Sequence, residues 1–307
     1  MSSERLVEEA ITGATRVVGV IGWPVAHSLS PPMHNAAFGH LGMDWVYVAF
    51  PVAPEYVPEA VGGVRGLGVA GINVTIPHKQ AVVEHLDELD QTAADLEAVN
   101  TIHNADGRLK GYNTDGPGLV RSLEEAGFSV AGKRIAVIGA GGSARAVVFA
   151  LARAGASYIA ILNRTVERAV ALADMVREKC GYGSAEPLPL VGPSSQRAVE
   201  SADAVVDCTS VGMHPNVDVA PVVPPEWLHA GQVVCDLTYN PRETVLLKAA
   251  KRRGAVAVDG TGMLVHQGAI AFEIWTGREA PVEIMRAALL RALDKRSHNS
   301  GPQAAKE

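Results

Sequence analysis

Short apolar segments alternate with helical segments along nearly the whole chain, and this alternation restricts the fold more than any other feature of the sequence. The segments predicted as strands are 17–21, 45–50, 71–75, 134–138, 158–162, 204–208 and 233–237, all rich in β-branched or other apolar residues. Helical patterns lie between them, among others at 144–154, 167–179 and 244–253. Strands separated by helices are typical of parallel sheets, so the predicted fold class is α/β.

The length of 307 residues exceeds what one small hydrophobic core accommodates, so two domains are expected. A polar segment at 113–118 precedes a helical pattern at 119–126, and the strand at 134–138 then begins a second α/β series. Two further helical patterns, 263–275 and 282–293, follow the last predicted strand. The sequence permits these helices to return to the first domain but does not require it.

Charge and composition argue against several classes of protein. A net charge of −6 disfavours nucleic-acid binding, which needs a basic surface. No apolar run reaches the roughly 20 residues of a membrane-spanning helix, so no membrane association is expected. The N-terminal sequence Met-Ser-Ser-Glu-Arg does not match a secretory signal, and Cys180, Cys208 and Cys235 are spaced too widely for a zinc site or a disulfide framework. We therefore expect a cytoplasmic protein with no bound metal.

A glycine-rich turn lies between the strand at 134–138 and the helix that follows it. Gly139, Gly141 and Ala144 fit the pattern G-x-G-x-x-A, whose glycines allow a tight turn and let a pyrophosphate approach the helix N-terminus. An ordinary glycine-rich turn is the alternative, but the order of strand, turn and helix favours a dinucleotide site. The residues predicted to contact the cofactor here are Gly139, Ala140, Gly141, Gly142 and Ser143.

The residues after the strand at 158–162 bear on which dinucleotide is preferred. Asn163, Arg164 and Thr165 stand where an NAD site usually has an acidic residue that accepts from the ribose 2′-hydroxyl. A guanidinium and a hydroxyl suit a 2′-phosphate instead, so NADP is the predicted cofactor. Arg168, one helical turn along, is expected to add a second cation. The alternative for Arg164 is a solvated surface cation.

The segment GWPVAHSLSPPMHN, residues 22–35, follows the first predicted strand. Ser30 precedes a proline and fits a helix N-cap, so capping alone would explain it. Ser28 has no such structural role, and a loop at the end of a strand is a common place for a ligand site. His27 and His34 are expected to be loop or helix-packing residues.

Further polar residues lie near the ends of predicted strands. Asn73 and Thr75 alternate along one strand and so share a face, and Lys79 follows in the next loop or helix start. Turn formation or helix capping would explain Asn100 and Asp115 individually. Together, these residues can supply hydrogen bonds to a polyhydroxylated ligand, with Lys79 and Asp115 as a proton-handling pair.

One polar residue stands out in the helical pattern at 263–275. Gln267 lies in an otherwise apolar helix, and a buried glutamine needs hydrogen-bond partners, which a ligand can supply. His266 faces another side of the helix and is expected to be structural or solvated.

Several motifs occur in a consistent order from about residue 17 to residue 276. They are 22–35 (GWPVAHSLSPPMHN), 73–79 (NVTIPHK), 98–101 (AVNT), 113–115 (NTD), 139–142 (GAGG), 163–165 (NRT), 236–241 (DLTYNP) and 262–268 (GMLVHQG). By these motifs the chain resembles the shikimate dehydrogenase family, which is part of the shikimate/quinate dehydrogenases. One departure is Asp207, because the corresponding loop of the family begins with Asn.

The resemblance implies both a fold and an activity. The fold implied is an N-terminal α/β substrate domain, a Rossmann dinucleotide-binding domain and C-terminal helices that return to the first domain. The boundaries expected are 1–114 with 261–307 for the substrate domain and 115–260 for the NADP domain. The activity implied is the reversible, NADP-dependent reduction of 3-dehydroshikimate to shikimate, a step towards chorismate and the aromatic amino acids. The oligomeric state is left open, with a homodimer as one alternative.

The resemblance also implies roles for individual residues. Ser28 and Ser30 would bind the substrate carboxylate, and Lys79 would be catalytic with Asp115 holding both Lys79 and the reacting hydroxyl. The residues implied to contact the ring hydroxyls or complete the pocket are Asn73, Thr75, Asn100, Asp115, Gln267 and Tyr239. Leu237 and Gly260 would lie on the cofactor side.

Three other functions stay open at this point. A catabolic quinate/shikimate dehydrogenase would usually use NAD, and an acidic residue after the second Rossmann strand would have favoured it. A ligand-binding regulator without catalysis would be indicated by the loss of Lys79 or Asp115, and both are present. An NADP-dependent structural or interaction protein is the third, and no additional interaction segment supports it.

Overall fold

The computed structural model describes residues 11–299, and the chain divides into two units, 1–112 with 271–307 and 113–270. The N-terminal sequence considered above for a secretory signal lies outside the described residues. Within them, no helix has both the length and the apolar character needed to cross a membrane.

The first unit is built on a mixed six-stranded sheet. Its strands are β1 (Arg16–Gly22), β2 (Trp45–Pro51), β3 (Gly71–Val74), β4 (Glu88–Leu89), β5 (Thr101–Ala105) and β6 (Arg108–Tyr112), in the spatial order β2-β1-β3-β5-β6-β4. All neighbouring pairs are parallel except those that β5 makes with β3 and β6. The β5–β6 hairpin turns at Asp106 and Gly107, both with positive φ, as a two-residue type I′ turn requires.

Helices α1 (Ser30–His40), α2 (Val57–Gly66) and α3 (Gln91–Leu96) connect these strands. The β-branched residues of β3 explain its orientation, because Ile72 and Val74 join a buried cluster with Val61 of α2 and Ile102 of β5. Asn73, between them, must therefore point to the other face of the sheet. The alternation of apolar and polar residues in this strand thus aims a polar side chain away from the core.

The C-terminal helices complete the first unit, as the fold implied by the family resemblance requires. They are α9 (Thr261–Thr276), whose last residues belong to this unit, and α10 (Val282–Asn299). Trp275 of α9 donates from its indole nitrogen to the Ile102 carbonyl at 2.9 Å. Gly71 lies under this indole, because a Cβ there would come within 2.1 Å of the ring nitrogen. The end of α9 therefore packs directly on β3 and β5.

The second unit has a six-stranded parallel sheet. Its strands are β7 (Arg134–Ile138), β8 (Tyr158–Asn163), β9 (Ala185–Pro189), β10 (Ala204–Asp207), β11 (Val233–Asp236) and β12 (Val256–Val258), in the order β12-β11-β10-β7-β8-β9. Its helices are α4 (Asp115–Glu125), α5 (Gly142–Arg153), α6 (Val166–Cys180), α7 (Pro193–Glu200), α8 (Val245–Arg252) and most of α9. When the strands are numbered from β7, their spatial order is 3-2-1-4-5-6, which is the order of a Rossmann fold. Successive strands are added on one side of β7 as far as β9 and on its other side from β10 onwards, so the topological switch point lies between β7 and β10.

Candidate active site

The loop between β1 and α1 holds its two serines differently from the sequence prediction. Helix α1 begins at Ser30 itself, after Leu29, and no side chain caps it, so the interpretation of Ser30 as an N-cap is wrong. Pro31 and Pro32 lack backbone N–H groups, which removes donors that a cap would otherwise satisfy. Instead, the Ser28 hydroxyl accepts from the Ser30 amide at 3.2 Å.

Arg296 of α10 binds the backbone of the loop between β1 and α1, which we call the serine loop. Its guanidinium donates to the carbonyl oxygens of His27, at 2.5 Å, and Ser28, at 3.2 Å. Because these bonds hold the backbone, the Ser28 hydroxyl is presented by an ordered loop. Sequence reasoning did not find Arg296, since nothing near residue 296 signals a contact with residue 28.

A buried tyrosine on β2 reaches across the sheet to β3. Tyr47 donates from its hydroxyl to Asn73 Oδ1 at 2.8 Å. Burial raises the pKa of Tyr47 far above its ordinary value, so the phenol stays protonated. Asn35 holds the Tyr47 backbone, accepting from its amide at 2.7 Å and donating to its carbonyl at 2.9 Å. The sequence analysis did not identify Tyr47.

Asn73 and Asn100, both predicted to contact a ligand, lie side by side. The Asn73 amide nitrogen donates to the Asn100 carbonyl at 3.2 Å and to the Thr101 hydroxyl at 3.0 Å. The Thr101 hydroxyl in turn donates to Asn100 Oδ1 at 3.1 Å. The structure therefore joins two of the predicted residues through Thr101, which the sequence analysis had not singled out.

Thr75 and Lys79 follow β3. The strand ends at Val74, one residue before its predicted end, and the Thr75 amide still donates to the Ile21 carbonyl at 3.0 Å. Lys79 is half-buried in the turns that follow, and its carbonyl accepts from the Val99 amide at 2.7 Å. This bond holds the Lys79 segment beside the residue that precedes Asn100.

In the second unit, the helices that carry Asp115 and Gln267 are in contact. Asp115 is the first residue of α4 and is buried, and the hydroxyl of Thr114 donates to the Gln267 carbonyl at 3.0 Å. A Cβ at Gly118 would come within 2.7 Å of the Gln267 backbone, so a glycine is needed where α4 meets α9. Gln267 is half-buried rather than buried, and its side-chain nitrogen donates to the Leu264 carbonyl at 2.9 Å.

The histidines are structural where the sequence analysis expected them to be. His34 is buried in α1 and stacks on Tyr47, with ring centroids 4.4 Å apart. Burial lowers the pKa of His34 to about 3, which keeps the imidazole neutral. His266 is buried with its Nε2 3.2 Å from Glu125 Oε2. No group of His, Cys, Asp or Glu suited to a metal ion occurs in residues 11–299.

The glycine-rich turn after β7 leaves the start of α5 open. Gly139 has φ of +98°, and a Cβ there would lie 3.2 Å from Thr209 Cγ2. Helix α5 starts at Gly142 without a side-chain cap, and a Cβ at Gly141 or Gly142 would meet nothing within 4 Å. The N-terminal amides of α5 are therefore accessible, and the backbone leaves room for a phosphate group beside them.

The end of β8 presents two arginines to solvent. The Asn163 side chain donates to the Thr165 carbonyl at 2.7 Å, which fixes the turn into α6. Arg164 and Arg168 are exposed, and within the described part of the chain their side chains make neither an ion pair nor a hydrogen bond. Both cations are thus available for an anionic ligand.

Leu237 and Gly260, predicted on the cofactor side, are in direct contact. A Cβ at Gly260 would stand 2.2 Å from the Leu237 carbonyl oxygen, so only glycine fits there. The Gly260 amide donates to the Thr238 carbonyl at 3.1 Å. Tyr239 is half-buried in the segment that follows β11.

Asp207 is a buried acid at the carboxyl end of β10. It pairs in register with Asp236 of β11, and its Oδ1 accepts from the Thr209 amide at 2.8 Å. Burial, with a further contribution from the charge of Asp236, raises the pKa of Asp207 to about 6. Thr209 also lies beside Gly139, so this residue alone separates Asp207 from the glycine-rich turn.

Three family models match the chain. They are the shikimate dehydrogenase substrate binding domain at residues 20–102, shikimate/quinate 5-dehydrogenase at 122–222 and the shikimate 5′-dehydrogenase C-terminal domain at 260–290.

Relatives and solved structures agree with these models. A shikimate dehydrogenase (NADP(+)) of Methanothermobacter thermautotrophicus is 52% identical over 93% of this chain and 99% of its own length. A crystal structure of a shikimate dehydrogenase in complex with NADP+ is 47% identical, with a TM-score of 0.88 over 92% of this chain and 98% of that chain. The shikimate 5-dehydrogenase of Listeria monocytogenes, in complex with shikimate and NAD, is 37% identical, with a TM-score of 0.86 over 92% of this chain and 99% of that chain.

Proposed function

The chain belongs to the shikimate dehydrogenase family, and we propose that it catalyses the reversible, NADP-dependent reduction of 3-dehydroshikimate to shikimate. The observation that carries this proposal is the similarity over nearly the full length to an NADP-dependent shikimate dehydrogenase. In this proposal, residues 1–114 with 261–307 bind the substrate and residues 115–260 bind the cofactor.

The polar side chains of the first unit suit a small, hydroxylated acid. Ser28 and Ser30 bind the substrate carboxylate, and their hydroxyls are the donors that such a group accepts from. Asn73, Thr75 and Asn100 bind the ring hydroxyls. Support comes from their positions, because β1, which precedes the serine loop, is the neighbour of β3 in the sheet, and β3 is the neighbour of β5, which follows Asn100. In the second unit, Gln267 and Tyr239 are the residues that bind the substrate in this proposal.

Lys79 and Asp115 handle the proton. Bound NADPH supplies the hydride for the carbonyl carbon. Lys79 donates a proton from Nζ to the oxygen on which negative charge develops, and it takes the proton back in the reverse direction. Asp115 positions the reacting hydroxyl by accepting a hydrogen bond from it.

The residues around the predicted NADP site fit the cofactor. The open amides at the start of α5 suit the pyrophosphate, with Gly139, Ala140, Gly141, Gly142 and Ser143 forming the turn. Asn163, Arg164, Thr165 and Arg168 receive the 2′-phosphate, and the two arginine side chains have no competing partner among residues 11–299. Leu237 and Gly260 contact the cofactor at the other end.

Absorbance of NADPH, followed with shikimate or quinate and with NADP or NAD, tests the whole assignment. We expect the highest kcat/KM for the pair of shikimate and NADP. Arg164→Ala should lower the preference for NADP over NAD by roughly ten- to more than a hundredfold, because this factor corresponds to the free energy of one hydrogen bond to a charged group. Arg177→Ala is the control, because Arg177 lies on α6, the helix that follows Arg164, but pairs with Asp174. A parent enzyme that prefers quinate and NAD would favour a catabolic quinate dehydrogenase.

Compartment and assembly belong to the same proposal. The protein acts in the cytoplasm, which the three free cysteines support, since a reducing compartment keeps thiols unpaired. A homodimer stays a prediction that sedimentation of the purified protein tests.

A further inference from the structure

Gly22, the last residue of β1, lies directly against the side chain of Thr75. A Cβ at Gly22 would come within 2.4 Å of Thr75 Cγ2, whereas two carbon atoms in contact are about 3.5–4.0 Å apart. The next neighbours, the Ile76 carbonyl oxygen and Val25 Cγ2, would lie at 3.3 Å and 3.5 Å, so small adjustments accommodate them. Gly22 is not one of the glycines with positive φ, so it is this contact, and not the backbone conformation, that excludes a side chain. The space left by the absent side chain is filled by the Thr75 methyl group.

Hydrogen bonds on both sides hold the backbone of Thr75. Its amide donates to the Ile21 carbonyl at 3.0 Å, and its carbonyl accepts from the His78 amide at 2.9 Å. Because the backbone is fixed, rotation about χ1 is the freedom that remains to this side chain. The Thr75 hydroxyl makes no hydrogen bond with another residue of 11–299, so no polar partner in this part of the chain sets its direction.

The methyl group sets the direction of the hydroxyl instead. The Cβ of threonine is a stereocentre, so once the methyl group occupies one of the three staggered positions, the hydroxyl and the hydrogen have one position each. With the methyl group in the space beside Gly22, the hydroxyl of the half-buried Thr75 has one direction before any ligand arrives. A serine at this position would have three directions, because it lacks the methyl group.

We propose that Gly22 is a positioning residue that acts through Thr75: the space beside Gly22 holds the Thr75 methyl group and so aims the Thr75 hydroxyl at a ring hydroxyl of the substrate. The inference rests on the proposed function, in which Thr75 binds that ring hydroxyl. Because the side chain is already in its binding rotamer, substrate binding does not have to supply the entropic cost of fixing it.

Gly22→Ala changes which rotamer of Thr75 fits. The new Cβ fills the space, and of the three groups on the Thr75 Cβ only the hydrogen is small enough to face it. The rotamer that places this hydrogen there puts the methyl group where the hydroxyl was. A ring hydroxyl of the substrate then meets a methyl group in place of a hydrogen-bond partner.

The calorimetric Kd and the KM for shikimate test the inference. Gly22→Ala should raise both about tenfold or more, with the KM for NADP unchanged. In the parent, Thr75→Ser should raise both about threefold, because three staggered positions of the hydroxyl replace one. In the Gly22→Ala background, the same Thr75→Ser should lower both values, because serine has no methyl group to displace and its hydroxyl can return to the required position.

Gly62→Ala is the matched control, since Gly62 belongs to the same unit and a Cβ there would meet nothing within 4 Å. It should change neither the Kd nor the KM for shikimate. If Gly22→Ala does not fold, Thr75→Ser and Thr75→Val test the inference in the parent. Thr75→Ser keeps the hydroxyl and should weaken shikimate binding about threefold, whereas Thr75→Val keeps a methyl group for the space and should weaken binding about tenfold through the lost hydrogen bond.

The opposite effects of Thr75→Ser in the two backgrounds separate positioning from a general loss of packing, which would make Thr75→Ser harmful in both. Unchanged shikimate affinity in Gly22→Ala, or a Thr75→Ser that weakens binding in both backgrounds, overturns the inference and leaves the proposed function intact. A Thr75→Ser variant that binds shikimate as the parent does has the same consequence. A parent that neither binds nor oxidises shikimate overturns both.

Discussion

Replacing Asp207 by Asn should stabilise the protein in a manner that depends on pH. Asp207 is 2% exposed and faces Asp236 on the neighbouring strand. Burial and that second carboxyl raise its pKa from 3.8 to about 6. An asparagine has nearly the same shape, keeps an oxygen for the Thr209 amide and carries no charge. It is also the residue that the family motif has at this position.

The magnitude follows from the difference between the two pKa values. Below about pH 4 the carboxyl is protonated in the folded and the unfolded chain, so it costs nothing. Between about pH 4 and 6 the unfolded chain releases the proton while the folded protein retains it, and stability falls. Above about pH 6 the cost is constant. At 1.36 kcal/mol for each pH unit, the step from 3.8 to about 6 corresponds to about 3 kcal/mol.

Chemical denaturation of the parent and of Asp207→Asn at about pH 4 and about pH 8 measures this difference. The variant should be more stable by up to about 3 kcal/mol at the higher pH and nearly equal to the parent at the lower pH. Asp218→Asn, at an exposed position in the same unit, is the control for a change of surface charge. A variant that is less stable at about pH 8, or a difference that does not change with pH, would refute the reasoning.

Two further predictions concern the proposed substrate site. Lys79→Met removes the ammonium group and keeps most of the side chain, so steady-state kinetics should show that kcat falls by ~10²–10⁴ while the KM for shikimate stays within a few-fold. A normal kcat with a raised KM would contradict a role of Lys79 in proton transfer. Ser28→Ala should weaken shikimate binding in calorimetry more than tenfold without altering NADP affinity, because it removes a hydrogen bond to a charged group. Unchanged shikimate affinity would leave Ser28 only its bond to the Ser30 amide.

The strands and the dinucleotide turn were predictable because their signals are local. β7 coincides with the predicted segment 134–138, where a run of apolar residues ends at a glycine that needs positive φ. Three of the strands that were missed, β4, β9 and β12, lie at sheet edges. β9 contains Pro187 and Pro189, which are compatible with an edge strand but weaken a strand prediction from sequence.

Contacts between distant segments were beyond the sequence analysis for a physical reason. Arg296 reaches the serine loop across 268 positions, and periodicity within either segment says nothing about their pairing. The environment of Asp207 likewise depends on the strand order, which places β11 beside β10 and so sets two acids side by side. Sequence patterns identify which residue is polar at a strand end, but sheet order determines its charged neighbours.

Within the candidate site, Tyr47 makes a contact that the sequence pattern does not predict. In the sequence it is an aromatic residue in an apolar strand, which predicts a core residue, and its ring is indeed buried against His34. Its hydroxyl reaches Asn73 only because β1 lies between β2 and β3, so that a long side chain on β2 extends across β1. The serines and asparagines could be predicted as separate polar positions. The hydrogen bond to Asn73 comes from a residue that the hydrophobic pattern assigns to the core, and the orientation of the Asn73 amide depends on the backbone carbonyl of Asn100.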